Sequence, residues 1–262
     1  MLRFSKWHGL GNDYLLVERA DAGRPLDPET VRRLCDYHFG VGSEGVLEVV
    51  AVAGARAEVV IWNPDGSVAE LSGNGTRIAA RWLARRSGMR AVTIVVGPRE
   101  VVARLREGFE VETDMGRVEV GATETIEAAG EQVELTLVSV GNPHAVVRRE
   151  PDRAELLRLG PLLERHPRFP ERTNVQLVRV DGPHDVTAAV WERGARETLA
   201  SGTSACAVAA AAVARGWCES PVTVHLPGGD LLVELDDRFH ARLTGPAQEI
   251  CRGEISEELG LG

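Results

Sequence analysis

The sequence predicts an α/β protein of two pseudo-symmetric domains, each a curled, mostly antiparallel sheet around a central Ala-rich helix. Three observations predict this fold: an internal repeat, many short apolar runs bounded by turn residues, and two helical segments that each begin at a Ser-Gly motif. A chain of 262 residues is long enough for two domains of about 100–150 residues, each with its own core.

The internal repeat is carried by two similar motifs, Ser72-Gly73-Asn74-Gly75 and Ser201-Gly202-Thr203-Ser204, which lie 129 residues apart. The same separation, within one residue, relates Trp62 to Trp191, Gly11-Asn12 to Gly141-Asn142, and Val92-Thr93 to Val222-Thr223. Because this period is far too long for a solenoid, it predicts two similar domains. We place the boundary near residues 114–116, which gives one domain over 1–115, joined by 249–262, and a second over 116–248.

The apolar runs are typical of strands because they alternate or stay short, and because they end at Gly, Pro, Asn or Asp. They predict strands over 13–18, 56–62, 91–96, 131–140, 173–180, 185–191, 221–226 and 230–235. Helices are predicted over 28–38, 152–166, 75–87 and 203–215. The last of these contains the block Ala209–Ala212, whose small side chains allow close packing, so we expect a buried central helix.

Charge, apolar runs and the spacing of cysteine and histidine exclude several classes of protein. The net charge is −9 and the chain has no basic run, so a nucleic acid is not an expected partner. No apolar run approaches the roughly 20 residues that span a bilayer, so no membrane association is expected. The first residues lack the apolar stretch of a signal peptide, which predicts a cytoplasmic protein. The four cysteines and seven histidines show no metal-ligand spacing, so we expect no metal site and no disulfide framework.

The twin Ser-Gly loops suggest a chemistry. A helix N-terminus presents free backbone N–H groups and a favourable dipole to an anion, so two such termini suit a carboxylate. The hydroxyls of Ser72 and Ser201 would then lie beside the Cα of a bound amino acid, one on each side. This arrangement suits proton removal from one face and proton donation to the other. The plainer interpretation is that each serine is only a helix N-cap, which is the commoner role of this residue type.

Five segments resemble the diaminopimelate epimerase family, in the order expected for it and over nearly the whole chain. They are Lys6-Trp7-His8-Gly9-Leu10-Gly11-Asn12-Asp13-Tyr14, Phe39-Gly40-Val41-Gly42, the stretch from Asn63-Pro64-Asp65-Gly66-Ser67 to Ser72-Gly73-Asn74-Gly75, Gly141-Asn142-Pro143-His144, and the stretch from Glu192-Arg193-Gly194 to Ser201-Gly202-Thr203. The resemblance implies a homodimer with an interdomain active site. It also implies cofactor-independent conversion of LL-diaminopimelate to meso-diaminopimelate by two-base proton exchange at Cα, a step of lysine and peptidoglycan-precursor synthesis.

The resemblance also implies which residues form the site. The substrate contacts fall on Asn12, Asn63, Gly73, Asn74, Asn142, Asn174, Glu192, Arg193, Gly202 and Thr203, and the catalytic groups on Ser72, Ser201, His144 and Glu192. Amide side chains both donate and accept hydrogen bonds, so they suit a zwitterion. Arg193 can hold the distal carboxylate by a bidentate pair, and Glu192 can hold an ammonium group.

One departure from the family concerns the chemistry itself. The two acid/base residues of the family are cysteines, and both positions hold serine here. A thiol has a pKa near 8.5 that helix N-termini and cations lower further, whereas an alcohol starts far higher. A helix terminus contributes at most about 2 kcal/mol, which shifts a pKa by less than about two units. A serine base therefore needs a neighbour that takes its proton, and His144 and Glu192 are the candidates.

Three functional hypotheses follow from this departure. The first is an epimerase that uses Ser72 and Ser201 with help from His144 or Glu192. The second is a related racemase or epimerase for another amino acid, since proline racemases and hydroxyproline epimerases resemble this architecture and vary the same two positions. The third is a paralogue that binds an amino acid without turning it over.

Overall fold

The computed structural model describes residues 2–260. The chain forms two compact units, divided between Thr113 and Asp114 and again between Thr244 and Gly245. The last segment of the chain therefore belongs with the first unit, and the second unit is the continuous stretch Asp114–Thr244.

The first unit contains most of the early elements and the last strand. Its strands are β1 (Arg3–Gly9), β2 (Asn12–Glu18), β3 (Val46–Ala53), β4 (Arg56–Trp62), β5 (Val68–Ala69), β6 (Ala91–Val96), β7 (Arg99–Leu105), β8 (Glu110–Arg117, which continues into the second unit) and β18 (Gln248–Glu254). Its helices are α1 (Arg19–Ala22), α2 (Pro28–Cys35) and α3 (Gly73–Ser87), and a 3-10 turn covers Glu257–Leu259.

The second unit has a similar set of strands and helices. Its strands are β9 (Glu119–Ala128), β10 (Glu131–Ser139), β11 (Pro143–Arg148), β12 (Asn174–Gly182), β13 (Asp185–Glu192), β14 (Arg196–Thr198), β15 (Val222–Leu226), β16 (Gly229–Leu235) and β17 (His240–Pro246, whose last two residues belong to the first unit). Its helices are α4 (Arg153–Glu164) and α5 (Gly202–Ala214). All eight predicted strands are present, as β2, β4, β6, β10, β12, β13, β15 and β16.

The strand pairing is the same in both units. In the first, the order is β18-β1-β2-β3-β4-β6-β7-β8, and β5 also pairs with β4. In the second, it is β9-β10-β11-β12-β13-β15-β16-β17, and β14 pairs with β13. Each sheet is antiparallel except for two parallel pairs at equivalent places, β2–β3 with β4–β6 and β11–β12 with β13–β15. The predicted fold class is confirmed.

Each sheet packs around one central helix. Ile78, Ala80 and Leu83 of α3 are fully buried in a core that takes side chains from β1, β2, β3, β4, β6, β7 and β8. In α5, every residue from Gly202 to Ala212 is buried. The predicted Ala-rich helix is therefore surrounded on all sides, which is possible because alanine side chains let the strands approach closely.

A second helix covers the outer face of each sheet. Val31 and Leu34 of α2 pack against Leu15 and Val46, and the helix starts at Asp27, whose side chain accepts hydrogen bonds from the backbone of Glu29 and Thr30. In the second unit, Leu156, Leu159 and Leu163 of α4 cover β10, β11, β12 and β13. The prediction that α2 extends to residue 38 was wrong, because the Asp36 carboxylate caps a turn by accepting from the backbone N–H groups of residues 38 and 39.

Candidate active site

Ser72 begins helix α3 in the first unit and caps it. Its backbone is extended, at φ −135° and ψ 121°, and its Oγ accepts a hydrogen bond of 3.0 Å from the N–H of Gly75. The same oxygen lies 3.0 Å from the hydroxyl oxygen of Tyr14. Ser72 is therefore a helix N-cap, but this role does not use its hydroxyl proton, because a cap uses only a lone pair of the oxygen.

A chain of hydrogen bonds fixes the amide side chains of Asn74 and Asn12 beside this helix. Arg77 donates to Asn74 Oδ1, Asn74 Nδ2 donates to Asn12 Oδ1 at 3.0 Å, and Asn12 Nδ2 donates to the carboxylate of Glu44. The chain runs from a cation to an anion, so both amide oxygens are acceptors. The Asn12 amide nitrogen has a second N–H, which is the type of group that a substrate carboxylate requires.

Arg77 and Glu44, at the two ends of this series of hydrogen bonds, lie in different surroundings. Arg77 is fully buried, and a Cβ on Gly9 would lie only 3.3 Å from its Nη2, so the glycine leaves room for the guanidinium. At the other end, burial raises the pKa of Glu44, and the hydrogen bond from Asn12 opposes that rise. Glu44 was not among the predicted site residues.

Asn63, another predicted contact, belongs to a tight turn. Its Nδ2 donates to Ser67 Oγ at 2.9 Å and its backbone N–H donates to the Ser67 carbonyl at 2.8 Å. Gly66 in this turn has φ +84°, a conformation that favours glycine. The turn interpretation therefore describes Asn63 well, and its side chain keeps one N–H and the amide oxygen for other partners.

Ser201 is the equivalent cap in the second unit. Its backbone is at φ −142° and ψ 122°, and its Oγ accepts from the N–H of Ser204 at 3.4 Å, a longer bond than that of Ser72. Its hydroxyl donates to Glu192 Oε2 at 3.0 Å. The proton of Ser201 is therefore directed at a carboxylate, which is the type of neighbour that a serine base requires.

His144 is completely buried and contacts amides on both sides of its ring. Gln176 Nε2 lies 3.0 Å from the ring Nδ1 and 3.0 Å from Ser204 Oγ, while Asn142 Oδ1 lies 2.9 Å from the ring Nε2. Since an amide nitrogen can only donate, Nδ1 is the acceptor and Nε2 carries the proton. This tautomer holds Asn142 by its oxygen and leaves both of its N–H groups for a ligand.

The electrostatic environment of His144 agrees with that tautomer. Burial lowers the pKa of His144 to about 3, the hydrogen bond from Gln176 opposes this, and the charge of Arg193 adds to it. The ring is therefore neutral at neutral pH. Of the two groups predicted to help a serine, Glu192 contacts Ser201 directly, whereas the ring nitrogens of His144 are used to orient Asn142 and to bind Gln176.

Asn174 joins two segments of the second unit. Its Nδ2 donates to the Pro143 carbonyl at 2.9 Å and its Oδ1 accepts from the Arg193 backbone N–H at 2.9 Å. The guanidinium of Arg193 donates to the Glu171 carbonyl at 3.2 Å. Asn174 therefore positions the turn that carries Glu192 and Arg193.

The remaining predicted residues lie at the helix starts. Gly73 and Gly202 are the first residues of α3 and α5, and both are buried, as is Thr203. Their backbone N–H groups belong to the first turn, where helical partners are lacking. The predicted residues thus form one set in each unit: Asn12, Asn63, Ser72, Gly73 and Asn74 in the first, and Asn142, His144, Asn174, Glu192, Arg193, Ser201, Gly202 and Thr203 in the second.

The predicted site residues did not include Tyr14, Glu44, Arg77 or Gln176. The repeat contained a signal for one of them, because Tyr14 precedes His144 by 130 residues, the separation that relates Asn12 to Asn142. Within residues 2–260 no group of three His, Cys, Asp or Glu side chains is arranged to hold a metal ion. Over the same residues, no helix is both long and apolar enough to cross a membrane.

Comparison with known proteins identifies the relatives of this chain. The family model described as diaminopimelate epimerase matches residues 4–121 and 136–250. A diaminopimelate epimerase of Pelotomaculum thermopropionicum is 38% identical, over 97% of this chain and 98% of its own length. One of Synechococcus elongatus is 39% identical over the same shares of the two chains.

Solved structures show the same fold at lower identity. A predicted epimerase from Pseudomonas aeruginosa superposes with a TM-score of 0.75 at 20% identity, covering 97% of this chain and 99% of the other. A hydroxyproline epimerase from Agrobacterium vitis, solved with trans-4-hydroxy-L-proline, gives 0.70 at 18% identity, covering 97% and 90%. By the family match and its relatives, this chain belongs to the diaminopimelate epimerase family and is an isomerase that acts on amino acids.

Proposed function

We propose that this protein converts LL-diaminopimelate to meso-diaminopimelate, for lysine and peptidoglycan-precursor synthesis, with Ser72 and Ser201 as the proton-transferring groups and without a cofactor. The observation that carries the proposal is the 3.0 Å hydrogen bond from the Ser201 hydroxyl to Glu192. It supplies what an alcohol lacks, a partner whose carboxylate can receive the hydroxyl proton.

Inversion at Cα needs one group for each face of that carbon, and we assign the faces to Ser201 and Ser72. The Cα proton passes to Ser201 Oγ as the Ser201 hydroxyl proton passes to Glu192. The resulting carbanion takes a proton from the Ser72 hydroxyl on the other face. A developing negative charge on either oxygen is stabilised by the backbone N–H that already points at it, from Gly75 or Ser204.

The amide side chains support binding of the amino-acid group. The hydrogen-bond chains of the two units orient Asn12 and Asn142 so that each retains an N–H donor, and Asn74 holds Asn12 in place. We assign those donors, with the first-turn N–H groups of α3 and α5, to the substrate carboxylate. Arg193 takes the distal carboxylate in this proposal, and Asn63, Asn174 and Glu192 complete the contacts.

The test is isotope exchange by purified protein. With LL-diaminopimelate in deuterated water, we expect deuterium at Cα and formation of the meso isomer. Asn74→Ala and Arg193→Ala are expected to raise KM, while Arg153→Ala, which changes an exposed ion pair with Glu197, is expected to leave KM unchanged. No exchange at high enzyme concentration would contradict the proposal.

A second candidate is epimerisation of another amino acid. It is favoured by the serines at both acid/base positions and by the likeness to a structure that binds hydroxyproline. A screen of amino acids for loss of optical rotation separates the two. Calorimetric binding of an amino acid without isotope exchange would instead indicate a protein that binds but does not catalyse.

The family resemblance further leads us to propose a cytoplasmic homodimer. Light scattering coupled to size exclusion tests the assembly, and an elution at the mass of one chain of 28.3 kDa would contradict it.

A further inference from the structure

Tyr14 is a buried tyrosine whose hydroxyl reaches the reacting atom assigned to the first unit. Its side chain is 7% exposed, and its oxygen lies 3.0 Å from Ser72 Oγ. The ring belongs to the core around α3. A Cβ on Gly45 would lie 2.5 Å from Tyr14 Cε1, so the missing side chain at residue 45 is what makes room for the ring. The hydroxyl is thus held against Ser72 by packing on several sides.

The repeat shows that this contact is particular to the first unit. Tyr14 on β2 and His144 on β11 are 130 residues apart, and the strands that carry them make equivalent parallel pairs with β3 and β12. In the second unit, the ring at this position contacts Asn142 and Gln176. The two cap serines therefore have different partners, a phenol for Ser72 and a carboxylate for Ser201.

We propose that Tyr14 is the proton-sharing partner of Ser72, which supplies the proton that Ser72 delivers to the substrate. The inference rests on the function proposed above and adds the source of the proton that Ser72 donates. A phenol can donate a proton, whereas an ionised carboxylate can only accept one. In this proposal Ser72 is therefore the acid and Ser201 the base in the resting enzyme.

The proton transfers balance without another reactant. As the Ser72 O–H bond breaks, its proton forms the new C–H bond at Cα. The Tyr14 O–H proton moves to Ser72 Oγ, which restores the alcohol and leaves a phenolate in place of a much less stable alkoxide. Between turnovers the phenolate takes a proton from water, and Glu192 releases the one that it received from Ser201.

The two tyrosines of this chain, Tyr14 and Tyr37, allow a matched comparison. Tyr37 is 65% exposed and its hydroxyl lies 3.5 Å from Asp13, so Tyr37→Phe is the control. We expect Tyr14→Phe to lower kcat by about 10²-fold or more, with KM nearly unchanged, because general acid catalysis contributes on that scale. Tyr37→Phe is expected to keep the wild-type kcat.

A pH profile distinguishes proton sharing from a structural role. Wild-type kcat is expected to fall at alkaline pH as Tyr14 ionises, and the residual activity of Tyr14→Phe is expected to lack this fall. Charged groups in neighbouring segments are Asp13, which is paired with Lys6 at 2.7 Å, and Glu44 and Arg77. The pH profiles of wild type and Tyr14→Phe are therefore compared with that of Tyr37→Phe, which retains Tyr14 and the four charged groups Asp13, Lys6, Glu44 and Arg77.

Tyrosinate absorbance gives a readout that does not depend on turnover. In Tyr37→Phe, the near-ultraviolet titration reports Tyr14 alone, and its midpoint is expected to coincide with the alkaline fall in kcat. Adding Ser72→Ala is expected to move that midpoint, since it removes the hydrogen-bonding partner.

The outcomes separate the two proposals. If the wild type exchanges deuterium and Tyr14→Phe lowers kcat but keeps the alkaline fall, the role of Tyr14 is structural and this inference is overturned. An unchanged kcat in Tyr14→Phe overturns it as well. A wild type without isotope exchange overturns the proposed function, and with it the assignment of Tyr14.

Discussion

At the scale of single residues, the hydrogen-bond partners of Ser72 and Ser201 decide whether these serines can transfer protons. An alcohol at a helix start cannot be ionised by the helix alone, because the available interaction is about 2 kcal/mol at most. Glu192 and Tyr14 supply different proton-sharing groups at 3.0 Å from Ser201 and Ser72.

Glu192→Gln is expected to lower kcat for Cα exchange by about 10²–10⁴-fold, because the amide preserves the shape of the side chain but cannot receive the Ser201 proton. Deuterium incorporation measures this effect. Glu134→Gln, on the exposed side of β10, is the matched control and is expected to have no effect. Equal rates in Glu192→Gln and wild type would show that the carboxylate takes no part in proton transfer.

Ser201→Cys is expected to increase exchange at neutral pH by at least about tenfold, since a thiol titrates several pH units below an alcohol. The control is Ser204→Cys, which adds a thiol one turn further along the same buried helix. A Ser201→Cys enzyme no faster than wild type would indicate that Ser201 is not the base.

His144 is expected to make stability depend on pH. Its pKa of about 3 lies below the ordinary value of 6.5, so its contribution to stability is complete above pH 6.5 and is lost as the pH falls toward 3. The loss amounts to about 4–5 kcal/mol. The measurement is the free energy of unfolding against pH for wild type and His144→Gln.

The control for that measurement is the exposed His38. His38→Gln is expected to keep the wild-type pH dependence, whereas the curve of His144→Gln is expected to be flatter between pH 6.5 and 3. Parallel curves for wild type and His144→Gln would contradict the prediction.

At the scale of elements, two tight turns, one in each unit, place a residue other than glycine at positive φ. The β1–β2 turn has Leu10 at φ +56° and Gly11 at +88°, and the β9–β10 turn has Ala129 at +54° and Gly130 at +77°. A two-residue turn of this kind needs positive φ at both positions and favours Asn-Gly. Leucine and alanine are therefore strained there.

Ala129→Asn is expected to stabilise the protein by about 0.5–1 kcal/mol, because asparagine adopts positive φ more readily than alanine. The residue is exposed, so packing is unaffected. The measurement is the denaturant midpoint at constant slope. The control is Ala129→Val, whose branched side chain makes positive φ less favourable, and a higher midpoint for valine than for asparagine would contradict the argument.

The eight predicted strands all contain short apolar runs, but the prediction omitted β3 and β11, which also contain such runs. The sequence did not predict β9, whose residues Glu119–Ala128 are mostly exposed and polar and become a strand through pairing with β10. It also omitted β1, β7, β8, β17 and β18, and the very short β5 and β14, which have two and three residues. β5 and β14 form by pairing with the ends of β4 and β13 that do not pair with β6 and β15.

At the scale of the whole molecule, each unit has its own buried core, so local stability is expected to be separable. Leu83→Ala, on α3, is expected to lower the hydrogen-exchange protection of the first unit by about 2–5 kcal/mol. Leu156→Ala, on α4, is the matched change in the core of the second unit. Both leucines are almost completely buried. Equal loss of protection in both units from either change would contradict this expectation.

By itself, the sequence determined the duplication and the helix starts at Ser72 and Ser201. It also determined that each unit has an alanine-containing helix that a sheet can surround. These features depend on residue spacing and on helix and strand propensities, which are set by residues close together in the sequence. Tertiary structure alone decided what each hydroxyl touches. The partner of Ser72 is 58 residues away and that of Ser201 is 9 residues away across a turn, so strand pairing and core packing bring them together. For the same reason, Tyr14 and His144 occupy equivalent places in the repeat and yet contact different groups.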